Sequence, residues 1–149
     1  MGERGEGWVV GQFILGGLIL VSPPSRLLVQ HGWLRGLGVL LIAIGGVIGL
    51  LSLANLGRNL TPFPKPIEDG ELVKSGLYGV VRHPIYLSAL LGAFGWVFWR
   101  RSLLGLLFSL LLFLFFDAKA RHEERWLRDK YPAYAAYQER VKKLIPWVY

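Results

Sequence analysis

Two clusters of polar residues carry what chemistry this chain can do. The first is Tyr78-Gly79-Val80-Val81-Arg82-His83-Pro84-Ile85-Tyr86, and the second is Arg121-His122-Glu123-Glu124-Arg125. Pro84 fixes φ for the first turn of a helix and so places Arg82 and His83 at its positive end. A guanidinium there offers a two-pronged donor to a carboxylate, and the amides of a helix start add further donors. The paired carboxylates supply the opposite charge, and Tyr78 and Tyr86 could stack on a base. Both clusters at one membrane face would suit a small zwitterionic ligand. Each also has an ordinary reading: Arg82 and His83 as a juxtamembrane pair holding lipid phosphates, and Glu123 and Glu124 as a solvated face paired with Lys119 and Arg128 at four-residue spacing.

The elements that must position these clusters are apolar. Apolar residues make up 53% of the 149, and the charges fall in blocks that leave long uncharged runs, which a soluble domain of this size would not tolerate. The composition predicts an all-α integral membrane protein with about four transmembrane helices. Gly7 to Ser22 gives a first helix ending at Pro23-Pro24, short unless Leu27 to Val29 extend it. A cleaved signal peptide would need a basic start, which Glu3 and Glu6 spoil. Gly36 to Gly57 is long enough to cross about 30 Å of hydrocarbon, and Gly45 and Gly49 at small-xxx-small spacing permit close helix packing, within the chain or between copies. Asn59 to Ser75, with Pro62, Pro64 and Pro66, reads as a loop over the membrane face. Pro84 to Trp99 and Ser102 to Phe116, parted only by Arg100-Arg101, form a short helical hairpin. Its arginines and Trp96 and Trp99 would lie at the interface. The last helix runs on to Lys130, and Ala133 to Leu144 is an amphipathic C-terminal segment.

Thirteen of the seventeen Lys and Arg fall at the N-terminus, between 58 and 82, or after residue 117. The other four are Arg26, Arg35, Arg100 and Arg101. This bias places both termini and both polar clusters in the cytoplasm. The net charge of +7 lacks the single basic stripe of a nucleic-acid binder and suits anionic lipid instead. With no cysteine, disulfides, thiolate metal sites and cysteine nucleophiles are excluded, and no metal site is expected.

Taken in order, Gly-x-Tyr-x-x-x-Arg-His-Pro-x-Tyr, an apolar hairpin, Arg-x-Glu-Glu, then Tyr-x-x-Tyr before Ile-Pro resembles the isoprenylcysteine carboxyl methyltransferases and the related phospholipid methyltransferases. The resemblance covers about residues 55 to 149. It implies one membrane-embedded domain (1–149), with N-terminal helices over 7–57 and a cofactor-binding catalytic core over 58–149. It implies S-adenosylmethionine as cofactor, a lipophilic acceptor entering from the bilayer, and a prokaryotic plasma membrane as the location. Carried over residue by residue, Arg82 and His83 would hold the cofactor's polar end, Tyr78, Pro84 and Tyr86 would lie beside it, and Glu123 and Glu124 would take its amino group or ribose hydroxyls. Arg82, His83 and Glu124 would be the catalytic groups. The chain departs from the pattern at Ser88, often glycine, and at Tyr131-Pro132, usually aromatic-glycine. A carboxylate or thiolate acceptor needs no general base, whereas an amine must lose a proton, for which His83 or Glu124 stand nearest. Two other readings stay open: an NADPH-dependent oxidoreductase like the sterol reductases, and a non-enzymatic membrane protein. Neither the acceptor nor the oligomeric state is written in the sequence.

Overall fold

The computed structural model describes residues 5–25, 32–61, 63 and 65–149. The predicted extension over Leu27–Val29, Pro62 and Pro64 of the loop, and Arg4 and Arg26 of the charge count lie outside them. Among the described residues there are five α-helices and no strand: α1 (Glu6–Val21), α2 (Gly32–Leu56), α3 (Pro84–Arg100), α4 (Leu103–Lys130) and α5 (Tyr134–Arg140). Two stretches, Gly32–Asn59 and Leu103–Lys130, are long and apolar enough to cross a membrane. The outer faces of α1, α2 and α4 present large apolar side chains such as Phe13, Leu50 and Leu114. Water does not tolerate so continuous a surface; hydrocarbon does.

The hairpin turns where the sequence places it. Arg101 takes left-handed dihedrals (φ 57, ψ 48) to end α3, and Ser102 caps α4 by accepting from the Gly105 amide at 3.0 Å. Trp96, near the end of α3, donates its indole N–H to the Leu20 carbonyl near the end of α1 at 3.3 Å.

Glycines set the α2–α3 pairing, the most extensive in the fold. A Cβ on Gly38 would sit 2.6 Å from the Gly95 carbonyl oxygen, and one on Gly95 would sit 2.7 Å from that of Gly38. The Gly45 and Gly49 pair faces Ser88 of α3, so this small-residue stripe serves packing within the chain. α1 packs on α4 and α3 and has no comparable pairing with α2.

The amphipathic C-terminal segment is shorter than expected. α5 stops at Arg140, Val141 turns extended (φ −110, ψ 131), and the chain runs parallel to Val81 through the bridge Val81–Lys142. The reason lies at the end of α5, where the last carbonyls have no helical partner. Those of Gln138 and Val141 accept from the Arg82 guanidinium, while the Arg82 and His83 amides donate to the carbonyls of Lys142 (2.8 Å) and Lys143 (3.1 Å).

Gly38→Ala should cost about 1 to 3 kcal/mol through overpacking against α3. Gly46→Ala, with nothing within 4 Å of its added Cβ, should be neutral or slightly stabilising. Thermal melting of the two variants in one detergent decides between close packing and mere glycine tolerance.

Candidate functional site

The two polar clusters that the sequence singles out meet at one end of the helices. The start of α3, the second half of α4, the loop after α2 and the C-terminal segment converge there. Lys130 Nζ donates to the carbonyls of Ile67 and Glu68, and the Tyr131 hydroxyl donates to that of Gly70 at 2.5 Å, which ties the loop to the end of α4.

At the centre is a buried charge cluster. Arg82 Nε donates to Glu124 Oε1 at 2.8 Å, with side-chain exposures of 8% and 4%. His83 Nε2 lies 3.0 Å from the same oxygen, and Gln138 Nε2 donates to Oε2 at 2.9 Å. Glu124 therefore pairs across the fold with α3 and α5, not with Arg128 along its own helix. Arg128 turns to Gln138 Oε1 instead. The four-residue pairing of Glu123 with Lys119 is also absent: Lys119 Nζ donates to Gln12 Oε1 at 2.6 Å, and Glu123 Oε2 accepts from the Tyr86 hydroxyl at 2.6 Å. His83 Nδ1 stands 3.7 Å from that oxygen of Glu123, so both ring nitrogens face carboxylates. The His83, Tyr86 and Phe116 rings stack in sequence, with centroids 5.2 and 4.7 Å apart.

A cavity of about 710 Å³ borders this cluster, within the usual range of small-molecule sites. Tyr78, Arg82, His83, Tyr86 and Glu123 line it; Pro84 and Glu124 do not, and stand behind its wall. Arg82 faces it with Nε and Nη1 already taken by protein acceptors. Of the amides at the helix start, those of Tyr86 and Leu87 donate to the His83 carbonyl. From this polar end the cavity runs between α1 and α3 to Ile19, Leu20 and Trp96, about 20 Å along α3 at 1.5 Å per residue. Phe13 and Gly16 of α1 and Leu53 and Leu56 of α2 also line it, and those two helices have no extensive pairing with each other; Phe13 and Leu53 are exposed.

Four lining or supporting residues escape a reading of the sequence. Tyr134 lines the cavity, only 1% exposed, and its hydroxyl has no hydrogen-bond partner. Burial pushes its ionisation upward, and the Glu124 charge adds to this, so it stays a protonated donor. Tyr137, held through its hydroxyl to the Tyr78 carbonyl, is pushed up to about 12, chiefly by burial. The three-residue recurrence of Tyr131, Tyr134 and Tyr137 was the available signal for the pair. Nothing in the sequence marks Gln138, which completes the shell of Glu124, or Gln12, which reaches the site from α1.

The family model described as phospholipid methyltransferase matches residues 33–134. Protein-S-isoprenylcysteine O-methyltransferase B of Arabidopsis thaliana is 28% identical over 123 residues, covering 80% of this chain and 62% of the relative. The cobalt-zinc-cadmium resistance protein CzcN of Cupriavidus metallidurans is 33% identical over 103 residues, 68% of this chain and 47% of the relative. The chain thus spans less than two thirds of these relatives' length. The solved structure of the eukaryotic intramembrane Ras methyltransferase, an isoprenylcysteine carboxyl methyltransferase, superimposes with a TM-score of 0.73 over 95% of this chain and 51% of that one at 22% identity, which shows a shared fold.

Arg82→Ala and Glu124→Ala should each cost about 3 to 5 kcal/mol of stability, because each leaves a buried charge without its partner. The double variant should cost about 0.5 to 3 kcal/mol less than the sum. Denaturant titration of the four proteins gives the coupling; additive losses would mean the pair does not interact.

Proposed function

This chain belongs to the phospholipid methyltransferase family, and from that membership and the shape of its cavity we propose that it transfers a methyl group from S-adenosylmethionine to a lipophilic or amphiphilic acceptor at the cytosolic membrane face. One observation carries the reading: a single cavity joins an end lined by Arg82, His83 and Glu123 to an apolar end at Ile19, Leu20 and Trp96, and α1 and α2, which flank it at Phe13, Gly16, Leu53 and Leu56, have no extensive pairing; that gap is its lateral mouth in this reading. A polar cofactor enters such a site from water and a lipid-like acceptor from the bilayer. The reading takes the protein as one membrane-embedded domain of four spans, α1 to α4, with 58–149 as the catalytic core and the Lys and Arg bias setting the core in the cytoplasm.

The residues at the polar end fit the cofactor. Glu123 has a carboxylate at the cavity wall for an ammonium or ribose hydroxyl, and Tyr134 has a buried hydroxyl lacking a partner. Tyr78 and His83 offer ring faces, Tyr86 backs His83 in the stack, and Arg82 adds positive charge. Glu124 works as a positioning residue, fixing Arg82 and His83 from behind the wall. When bound, the sulfonium supplies an activated methyl group. The chain's contribution is alignment, for which about 7 to 11 kcal/mol of barrier reduction is available, in a site walled from water by aromatic rings. The acceptor's lone pair forms the new bond as the carbon–sulfur bond breaks toward sulfur. His83, with both nitrogens facing carboxylates, holds those groups rather than accepting a proton from the acceptor.

Calorimetric titration of the detergent-purified protein with S-adenosylmethionine, S-adenosylhomocysteine and NADPH tests this reading. The two sulfur ligands should bind and NADPH should not; binding of NADPH alone would replace the methyltransferase with a reductase, and binding of none would leave a non-enzymatic protein. Tyr134→Phe and Glu123→Gln should each weaken S-adenosylhomocysteine about tenfold, near 1.4 kcal/mol. Glu139→Gln, exposed on α5, should leave it unchanged. A further variant probes the mouth: Gly16→Trp should abolish turnover of a lipid acceptor while leaving S-adenosylhomocysteine affinity intact.

A further inference from the structure

Lys119 is the charge that the arrangement above leaves unused. It is 3% exposed and lines the cavity. Its ammonium donates to Gln12 Oε1 at 2.6 Å and lies over the Tyr86 ring, 5.0 Å from the centroid. Both partners are neutral. Among the described residues no carboxylate comes within ion-pair distance of it, whereas Lys143 and Arg121 both pair with Asp117, and Arg82 pairs with Glu124. The Glu123 carboxylate, one turn along α4, acts on it only from beyond ion-pair distance, and a buried ammonium with no charge in direct contact is costly. A cation held over an aromatic face and against an amide recovers only part of that cost.

Position along α4 says which ligand would complete it. Leu112, Phe116, Lys119, Glu123 and Leu127 all line the cavity at spacings of three and four, which makes one stripe on one helix face. Lys119 lies one turn from Glu123, on the side of the apolar end, about 6 Å along the axis. A ligand seated tail-first against Ile19, Leu20 and Trp96 meets Lys119 before it meets Glu123.

We propose that Lys119, held by Gln12 of α1, is an anion subsite that seats the ionised head of the acceptor and so selects carboxylate- or thiolate-bearing amphiphiles against amines. The identification of that anion as the acceptor rests on the methyl-transfer reading; the subsite itself does not. The step balances without a proton. An oxygen or sulfur lone pair of the anion bonds to the methyl carbon, the carbon–sulfonium bond gives its electrons to sulfur, and two charged reactants become two products with neutral reacting groups. The methylated head no longer carries the charge that Lys119 holds, so the same contact that seats the acceptor releases the product.

The test uses the full chain in phosphatidylcholine nanodiscs, with radiolabelled dodecanoate and dodecylammonium as probes and empty discs subtracted. Dodecanoate should bind at least tenfold more tightly than dodecylammonium. Lys119→Met, close in shape, should remove that preference, and Lys119→Arg should keep it. S-adenosylhomocysteine affinity should stay within twofold of wild type in both. Gln12→Glu serves as the variant that leaves Lys119 in place: a carboxylate at the present Gln12 position pairs with the ammonium internally and should abolish dodecanoate binding without loss of melting temperature. Preference for dodecanoate that survives Lys119→Met or Gln12→Glu overturns the proposal. So does a tenfold loss of S-adenosylhomocysteine affinity with dodecanoate unaffected, which would make Lys119 part of the donor site. If dodecanoate binds as expected but S-adenosylhomocysteine does not, the subsite stands and the methyl-donor reading fails.

Discussion

The buried pair of Arg82 and Glu124 is the interaction on which the rest of the polar end depends. Its cost in lost hydration is large, and only a full set of hydrogen bonds offsets it. That set is drawn from three places: the α4 carboxylate, the last carbonyls of α5, and the Gln138 side chain. Because the guanidinium reaches the carboxylate and both carbonyls, one residue just before α3 sets where α5 ends and where the extended segment after it lies. His83 joins the same oxygen of Glu124 and stacks on Tyr86, which hands the order on to Glu123 and the cavity wall.

This gives two adjacent glutamates different work. Their neighbours in sequence are nearly the same, but successive residues on a helix point about 100° apart. Glu124 turns toward α5 and is saturated by donors. Glu123 turns toward the cavity and has one phenol on one oxygen. A carboxylate surrounded by fixed donors organises; one with an open side can bind.

Much of the architecture is legible in the sequence because it follows from local rules. The hairpin turn at Arg101-Ser102, the helix start at Pro84, and the end of α4 before Pro132 each rest on one or two residues whose backbone preferences admit few alternatives. Gathering of the two polar clusters was legible too, through the ordered motif and the Lys and Arg bias. What the sequence hides is pairing at long range. Four-residue spacing offers Arg128 to Glu124 and Lys119 to Glu123, and both offers are declined, since Arg82 and Tyr86 arrive from a helix some forty residues away with better geometry. The amphipathic period over 133–144 likewise continues past Arg140, but it carries no sign that an arginine from α3 captures the carbonyls there. Gln12 is a single polar residue in an apolar run, with no pattern to mark it.

The glycine contact between α2 and α3 has a consequence for how such a protein can diversify. Gly38 and Gly95 bring two backbones so close that neither helix can shift without the other, and α3 carries Arg82 and His83 at its start. α1 is outside this fused unit, packed on the opposite side of the cavity. The wall that α1 gives the apolar end is tied to the frame that holds the charged end through side-chain packing and the Trp96–Leu20 hydrogen bond, a looser link than the backbone contact of α2 with α3. Substitutions along the inner face of α1, at Phe13, Gly16 or Leu20, can enlarge or narrow the hydrocarbon slot while the charged end keeps its geometry. One half of the site is thus open to drift across lipid shapes, and the other is bound by steric necessity to stay as it is.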